Sequence, residues 1–159
     1  MPQEKLSFEQ LHGALDVNRQ AFAQDLHNYL LEMGCKATFE EKKTSLLGSY
    51  KHTKLKKVII NLLLKASGLH VRIYGENFGK YADFMNTLPE EMVASIAKAG
   101  DCGRLTKGTC SPKCNGYDVT IRGERYQKCR YGGFEFLVTD ESGPFIKSFI
   151  EREIKERTA

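Results

Sequence analysis

The chain has 159 residues, of which 41% are hydrophobic and 28% charged, a composition typical of a folded protein and not of a disordered or fibrous one. A chain of this length suits one domain, so residues 1–159 are expected to form a single globular unit. The net charge of +4 is too small to identify a nucleic-acid partner, and no stretch approaches the roughly 20 apolar residues of a membrane span.

Two helices are predicted at the start of the chain. Ser7 and Gln10 have the spacing of a capping box, which predicts a short helix that Gly13 ends. A longer helix is predicted over about residues 17–33, because its apolar residues recur on one face. Gly34 then suits the left-handed position that follows a helix.

The hydrophobic period then changes from that of a helix to that of a strand. Four strands are predicted, over residues 38–43, 46–52, 57–65 and 69–74. The links at 53–56 and 66–68 are short enough for hairpins, so the strands should form an antiparallel meander. The helices on either side would cover its apolar face, which makes the fold class α+β.

Further helices and strands are predicted in the second half of the chain. Asn77 is expected to cap one helix, and Thr87 with Glu90 another that ends near Gly100. Two strands at 117–121 and 126–129 should form a hairpin that places Cys129 opposite Asp118. A strand at 134–138 and a helix that opens at Gly143-Pro144 complete the prediction.

Four of the five cysteines lie within residues 101–130: Cys102, Cys110, Cys114 and Cys129. Four thiolates suit a tetrahedral zinc ion and leave no open position, so the segment predicts a structural zinc site with these four ligands. Seven Lys/Arg against three Asp/Glu in the same segment could compensate the negative charge of such a site.

Three other interpretations of the cysteines stay open. They are free thiols that fall near one another, a redox-active or disulfide-forming pair, or ligands of an iron–sulfur cluster. The absence of any CxxC spacing and the seven residues after Cys102 weaken the zinc interpretation. Cys35, which follows Gly34, is expected to be a packed thiol.

A basic hairpin at residues 51–57 suggests a nucleic-acid interface. Tyr50 and His52 lie beside its lysines, so the segment could contact phosphates and stack on bases. The commoner role of such lysines is to keep a sheet edge soluble.

The sequence has no motif that pairs a nucleophile with a base, which disfavours an enzyme. The four histidines are expected at the surface or beside helices and not as ligands or bases. Aromatic residues could instead line a small-ligand pocket between sheet and helices; they are Tyr117, Tyr126, Tyr131, Phe134 and Phe136.

The stretch from Cys114 to Tyr131 (CNGYDVTIRGERYQKCRY) resembles a small bacterial family that has no assigned activity. The resemblance implies a single domain in which a helix and a meander precede the cysteine segment and a Pro-Phe-Ile helix. The four-strand meander is more distantly similar to the YdhG-like α+β proteins. The resemblance implies a fold and supplies no catalytic residues.

These observations favour a cytoplasmic, non-enzymatic binding or accessory protein with a structural zinc site. The expected partner is a small ligand and not a membrane. The first alternative is a thiol-based redox or metal sensor that uses the same four cysteines. Nucleic-acid binding through residues 51–57 ranks third.

Overall fold

A computed structural model describes residues 7–75, 78–99, 117–128 and 133–158. The helices are α1 (Phe8–Gly13), α2 (Val17–Glu32), a 3₁₀ turn (Phe78–Tyr81), α3 (Ala82–Met85), α4 (Glu90–Lys98) and α5 (Ser142–Thr158). The strands are β1 (Cys35–Glu41), β2 (Leu46–His52), β3 (Lys57–Lys65), β4 (Gly68–Ile73), β5 (Tyr117–Ile121), β6 (Glu124–Lys128) and β7 (Phe134–Leu137). The α+β prediction is confirmed.

The first two helices follow their capping signals. Ser7 and Gln10 form the predicted capping box, and α1 ends at Gly13. Asp16 caps α2 by accepting a hydrogen bond from the Arg19 amide at 2.9 Å. Gly34 follows α2 with a φ of 93°, which is the left-handed conformation expected there.

The main sheet is antiparallel, with the strand order β1-β2-β3-β4-β7. The predicted meander forms its first four strands, and the strand predicted at 134–138 pairs with β4 as β7. The β5–β6 hairpin forms a separate two-stranded sheet.

The strand register gives the main sheet an apolar face and a polar face. On the apolar face, one row crosses the five strands through Phe39, Gly48, Leu62, Val71 and Phe136. The adjacent row on the opposite face is polar and consists of Thr38, Ser49, Asn61, Arg72 and Glu135. The polar face of the sheet consists of this row and of Lys36, Lys51, Leu63, Lys65 and His70.

The apolar face packs against helices. The Phe149 ring of α5 lies 5.9 Å from the Phe136 ring and 5.9 Å from the Phe84 ring, measured between centroids. Phe134, Phe136 and Phe149 are at most 1% exposed, so α5 packs closely against this part of the sheet.

A buried ion pair joins two residues on the inner side of α5. The Arg157 guanidinium donates to the Glu153 carboxylate at 2.8 Å, and their side chains are 5% and 0% exposed. The Tyr81 hydroxyl donates to the other Glu153 oxygen at 2.7 Å, and Arg157 also donates to the Tyr74 carbonyl at 2.9 Å. These contacts connect the 3₁₀ turn, α5 and the end of β4.

Three sequence predictions are wrong in detail. The strand predicted over 38–43 begins at Cys35 and ends at Glu41. Thr87 does not cap α4, because its hydroxyl donates to the Phe84 carbonyl at 2.6 Å and Pro89 occupies the N-cap position. The β5–β6 hairpin turns at Arg122 and Gly123, so Asp118 pairs with Gln127 and not with Cys129.

Tertiary contacts explain the turn at Arg122. The backbone φ of Arg122 is 50°, a left-handed conformation that is unfavourable for residues other than Gly or Asn. The Asn86 side chain accepts a hydrogen bond from the Arg122 amide at 2.8 Å, and the Arg122 guanidinium donates to the Leu88 carbonyl. The loop after α3 therefore fixes a hairpin register that local sequence does not specify.

Helices in the described ranges are too short or too polar to cross a bilayer.

The half-buried His27 packs against the core and is expected to make stability depend on pH. The His27 ring stacks on Phe8 with 3.9 Å between centroids, and its Nδ1 lies 2.6 Å from the Tyr50 hydroxyl. Burial lowers the pKa of His27 against a smaller opposing effect of Glu9, so the folded state resists protonation.

We therefore expect stability to fall as the pH falls through the unfolded-state pKa of about 6.5, because the unfolded state then binds the proton more readily. Urea unfolding of the native protein and of His27→Gln between pH 7.5 and 5 would measure this loss. The variant should lose less stability over this range, and an equal loss in both proteins would contradict the role of His27.

Candidate functional site

The polar face carries a cluster of charged groups around Glu135. One carboxylate oxygen accepts a hydrogen bond from Lys65 at 2.7 Å, and the other accepts one from Arg72 at 2.7 Å. His70 Nδ1 lies 3.5 Å from the first oxygen. The side chains of these four residues are between 16% and 36% exposed, so the cluster is neither a core network nor a fully solvated surface.

Strand pairing builds this cluster. Arg72 of β4 is the direct neighbour of Glu135 on β7 and of Asn61 on β3. Asn61 donates to the Tyr74 hydroxyl at 2.8 Å, and Arg72 approaches the same oxygen at 3.4 Å. The residues therefore come from three strands, and their side chains are held by cross-strand contacts.

The electrostatics keep Glu135 ionised and His70 neutral near pH 7. Burial alone would raise the pKa of Glu135, but hydrogen bonds from Lys65 and Arg72 outweigh it and place the pKa below its ordinary value. Burial lowers the pKa of His70, and the opposing attraction of Glu135 is smaller. The cluster thus contains two permanent cations, one anion and a neutral imidazole.

Ser67 extends the cluster in the order of a serine-hydrolase triad. Its hydroxyl lies 2.8 Å from His70 Nε2, while His70 Nδ1 faces Glu135. Two features argue against a nucleophile here. Ser67 precedes His70 by three residues in a tight hairpin, where such contacts arise locally, and the charge of Glu135 is already compensated by Lys65 and Arg72.

No motif in the sequence identifies this cluster as a site. Within the strand predicted at 69–74, His70, Arg72 and Tyr74 alternate with apolar residues, and this alternation creates the polar face. Glu135 gave a weaker signal, as a single charged residue between Phe134 and Phe136. The pairing of β7 with β4, which brings Glu135 to Arg72, was not predicted.

The predicted zinc ligands Cys102, Cys110, Cys114 and Cys129 all lie outside the described residues. The fifth cysteine, Cys35, is 5% exposed, which confirms that it is a packed thiol. Burial raises the pKa of its thiol to about 11, so it is protonated and unreactive near neutral pH. Within the described ranges, no group of three or more His, Cys, Asp or Glu side chains is arranged to hold a metal ion.

The described ends that flank the cysteine segment lie next to one another. Lys128, at the end of β6, is 6% exposed and donates through Nζ to the carbonyls of Ala97 and Ala99 at 2.9 and 3.1 Å. Tyr117, at the start of β5, is the strand partner of Lys128. Along the chain, Cys102 is three residues after Ala99, Cys114 is three before Tyr117, and Cys129 directly follows Lys128.

The two proposed ligand surfaces of the sequence analysis need correction. Tyr50 is 0% exposed and His52 is 3% exposed, so neither side chain is available to stack on a base. The exposed residues of that hairpin are Thr53 and four lysines. Phe134 and Phe136 belong to the packed core and do not line a pocket between sheet and helices.

Comparisons with protein families, with curated proteins and with solved structures gave no match.

Proposed function

We propose that this chain is a binding or accessory protein that holds its ligand on the polar face of the main sheet. The observation that carries the proposal is the half-buried cluster of Lys65, His70, Arg72 and Glu135. Charged groups that are partly desolvated and fixed by cross-strand contacts are preorganised for a polar ligand.

The proposal includes a structural zinc ion bound by Cys102, Cys110, Cys114 and Cys129. It is supported by the proximity of Ala99, Tyr117 and Lys128, because three of the four cysteines lie within three residues of these positions. A single ion bound by Cys102, Cys114 and Cys129 is compatible with the positions of these three described residues. Four thiolates supply a complete tetrahedral set, in which zinc stabilises a fold and performs no reaction.

The zinc proposal is tested by native mass spectrometry and thiol titration on protein purified without a chelator. We expect one zinc ion per chain. A thiol reagent should react with no cysteine in the native protein, with four after chelation, and with the fifth only after unfolding, because Cys35 is buried and protonated.

Three outcomes would contradict this proposal. Four reactive thiols before chelation would indicate free cysteines. A mass deficit that reductant restores would indicate a disulfide and the redox-sensor alternative. Iron with visible absorbance would indicate an iron–sulfur cluster.

Nucleic-acid binding remains the third proposal, and it depends on exposed lysines alone. Lys51, Lys54, Lys56 and Lys57 could contact phosphates, but the buried Tyr50 and His52 leave the hairpin without a stacking partner. Because a stacking aromatic residue is missing there, nucleic-acid binding ranks below the binding of a small ligand on the polar face.

A further inference from the structure

A cleft of about 400 Å³ opens where the last turn of α4 meets the polar face. The polar face contributes His70, Arg72 and Glu135, and α4 contributes Ser95 and Lys98. Small-molecule sites in proteins commonly measure about 300–1,000 Å³, so this cleft is large enough for a small organic ligand and not only for a single ion.

The charge balance at the cleft is positive. Lys98 lines the cleft and is exposed at the end of α4, while Lys65 and Arg72 both bind the single carboxylate of Glu135. Three cations therefore face one anion, and two positive charges are left without a counter-charge among the described residues. A phosphate group, which carries a charge of about −1.5 to −2 near pH 7, matches this excess better than a monocarboxylate does.

Arg72 has hydrogen-bonding capacity that the described contacts do not use. A guanidinium offers five N–H donors, whereas Arg72 donates one short bond to Glu135 and one long bond of 3.4 Å to Tyr74. Its Nε is buried and has no hydrogen-bond partner within the described part of the chain. An unpaired buried N–H is unfavourable, so a small shift of this side chain toward an added acceptor would be stabilising.

We propose that this cleft binds a small phosphate-bearing molecule, with Arg72 and Lys98 in direct contact with the phosphate and His70 beside it. The proposal rests on the proposed function and names the ligand class for its polar face. Glu135 holds Arg72 and Lys65 in place, and the remaining volume of the cleft accommodates the organic part of the ligand. Arginine suits this role because its planar fork matches two phosphate oxygens.

Inorganic phosphate is the probe, and the imidazole NMR signals of the four histidines are the readout. We expect a saturable shift of the His70 signal, and a rise in the pKa of His70 when phosphate is bound, because a neighbouring anion favours imidazolium. The signals of His12, His27 and His52 should move no more than they do in sodium chloride of equal ionic strength.

Lys98→Gln is the test variant, because the residue is exposed and no described ion pair of the fold depends on it. It should weaken phosphate binding by about threefold to tenfold. Lys155→Gln removes the same charge from the exposed last turn of another helix, α5, outside the cleft, and should leave the affinity unchanged. Arg72→Gln would also break the Glu135 network, so it is not the primary test.

Two results would overturn the proposal. One is the absence of a saturable His70 shift, and the other is equal weakening of phosphate binding by Lys98→Gln and Lys155→Gln, which would indicate general screening. Either result on protein whose zinc content and thiol titration are as expected would reject the phosphate ligand alone. Failure of the zinc and thiol measurements would instead reject the structural zinc.

Discussion

Glu153→Gln is expected to lower the free energy of unfolding by about 3 kcal/mol or more. Gln has nearly the shape of Glu, but its single amide oxygen can keep only one of the two hydrogen bonds, because Tyr81 and Arg157 donate to different oxygens of Glu153. It also lacks the negative charge, so the Arg157 side chain, which is 5% exposed, would stay buried and lose the attraction of the Glu153 carboxylate. Urea unfolding at pH 7 measures this change, and the slope of the transition should stay constant if only stability is affected.

Glu156→Gln is the matched control. It makes the same chemical change on the same helix, but Glu156 is exposed and lies 3.9 Å from Lys80, so its loss should change stability by less than about 0.5 kcal/mol. If the two variants unfold at the same urea concentration, the buried Glu153–Arg157 pair contributes no more to stability than the exposed Glu156–Lys80 pair.

The contrast between two hairpins explains how much of the fold was predictable. The bounds of β2 and β3 were predicted correctly, because both strands are flanked by polar turns and rich in strand-forming residues. The register of β5 and β6 was not, because the turn uses Arg122 in a left-handed conformation that contacts from Asn86 and Leu88 support. The local hydrophobic pattern predicts which residues form strands. The register of β5 and β6 depends instead on contacts with residues more than 30 positions away in sequence.

The candidate site was predictable in part for the same reason. Alternation along β4 placed His70 and Arg72 on one side of the strand. Their partners Lys65 and Glu135 are 70 residues apart in sequence, and only the pairing order β3-β4-β7 brings them together. The burial of Tyr50 was also not evident, because its hydroxyl is accommodated by His27, a long-range contact that a single strand cannot reveal.

Gly48→Val is expected to lower the free energy of unfolding by about 1–3 kcal/mol, through overpacking of the apolar face. A Cβ atom at position 48 would lie 2.7 and 2.9 Å from two carbons of the Phe39 ring, which crosses over the glycine from β1. That ring cannot move away freely, because the rings of Phe8, His27 and Tyr50 surround it at centroid distances of 6.0 to 6.2 Å. Urea unfolding again provides the measurement.

Ser49→Val separates overpacking from a general effect of valine in β2. Ser49 is the next residue on the same strand but belongs to the polar face, so valine there should change stability by less than about 0.5 kcal/mol. Combining Gly48→Val with Phe39→Ala removes the clashing ring, and valine then fills part of the space. The double variant should therefore be more stable than the sum of the two single losses implies, by at least about 0.5 kcal/mol. Strict additivity would mean that Gly48 is required for a reason other than the Phe39 ring.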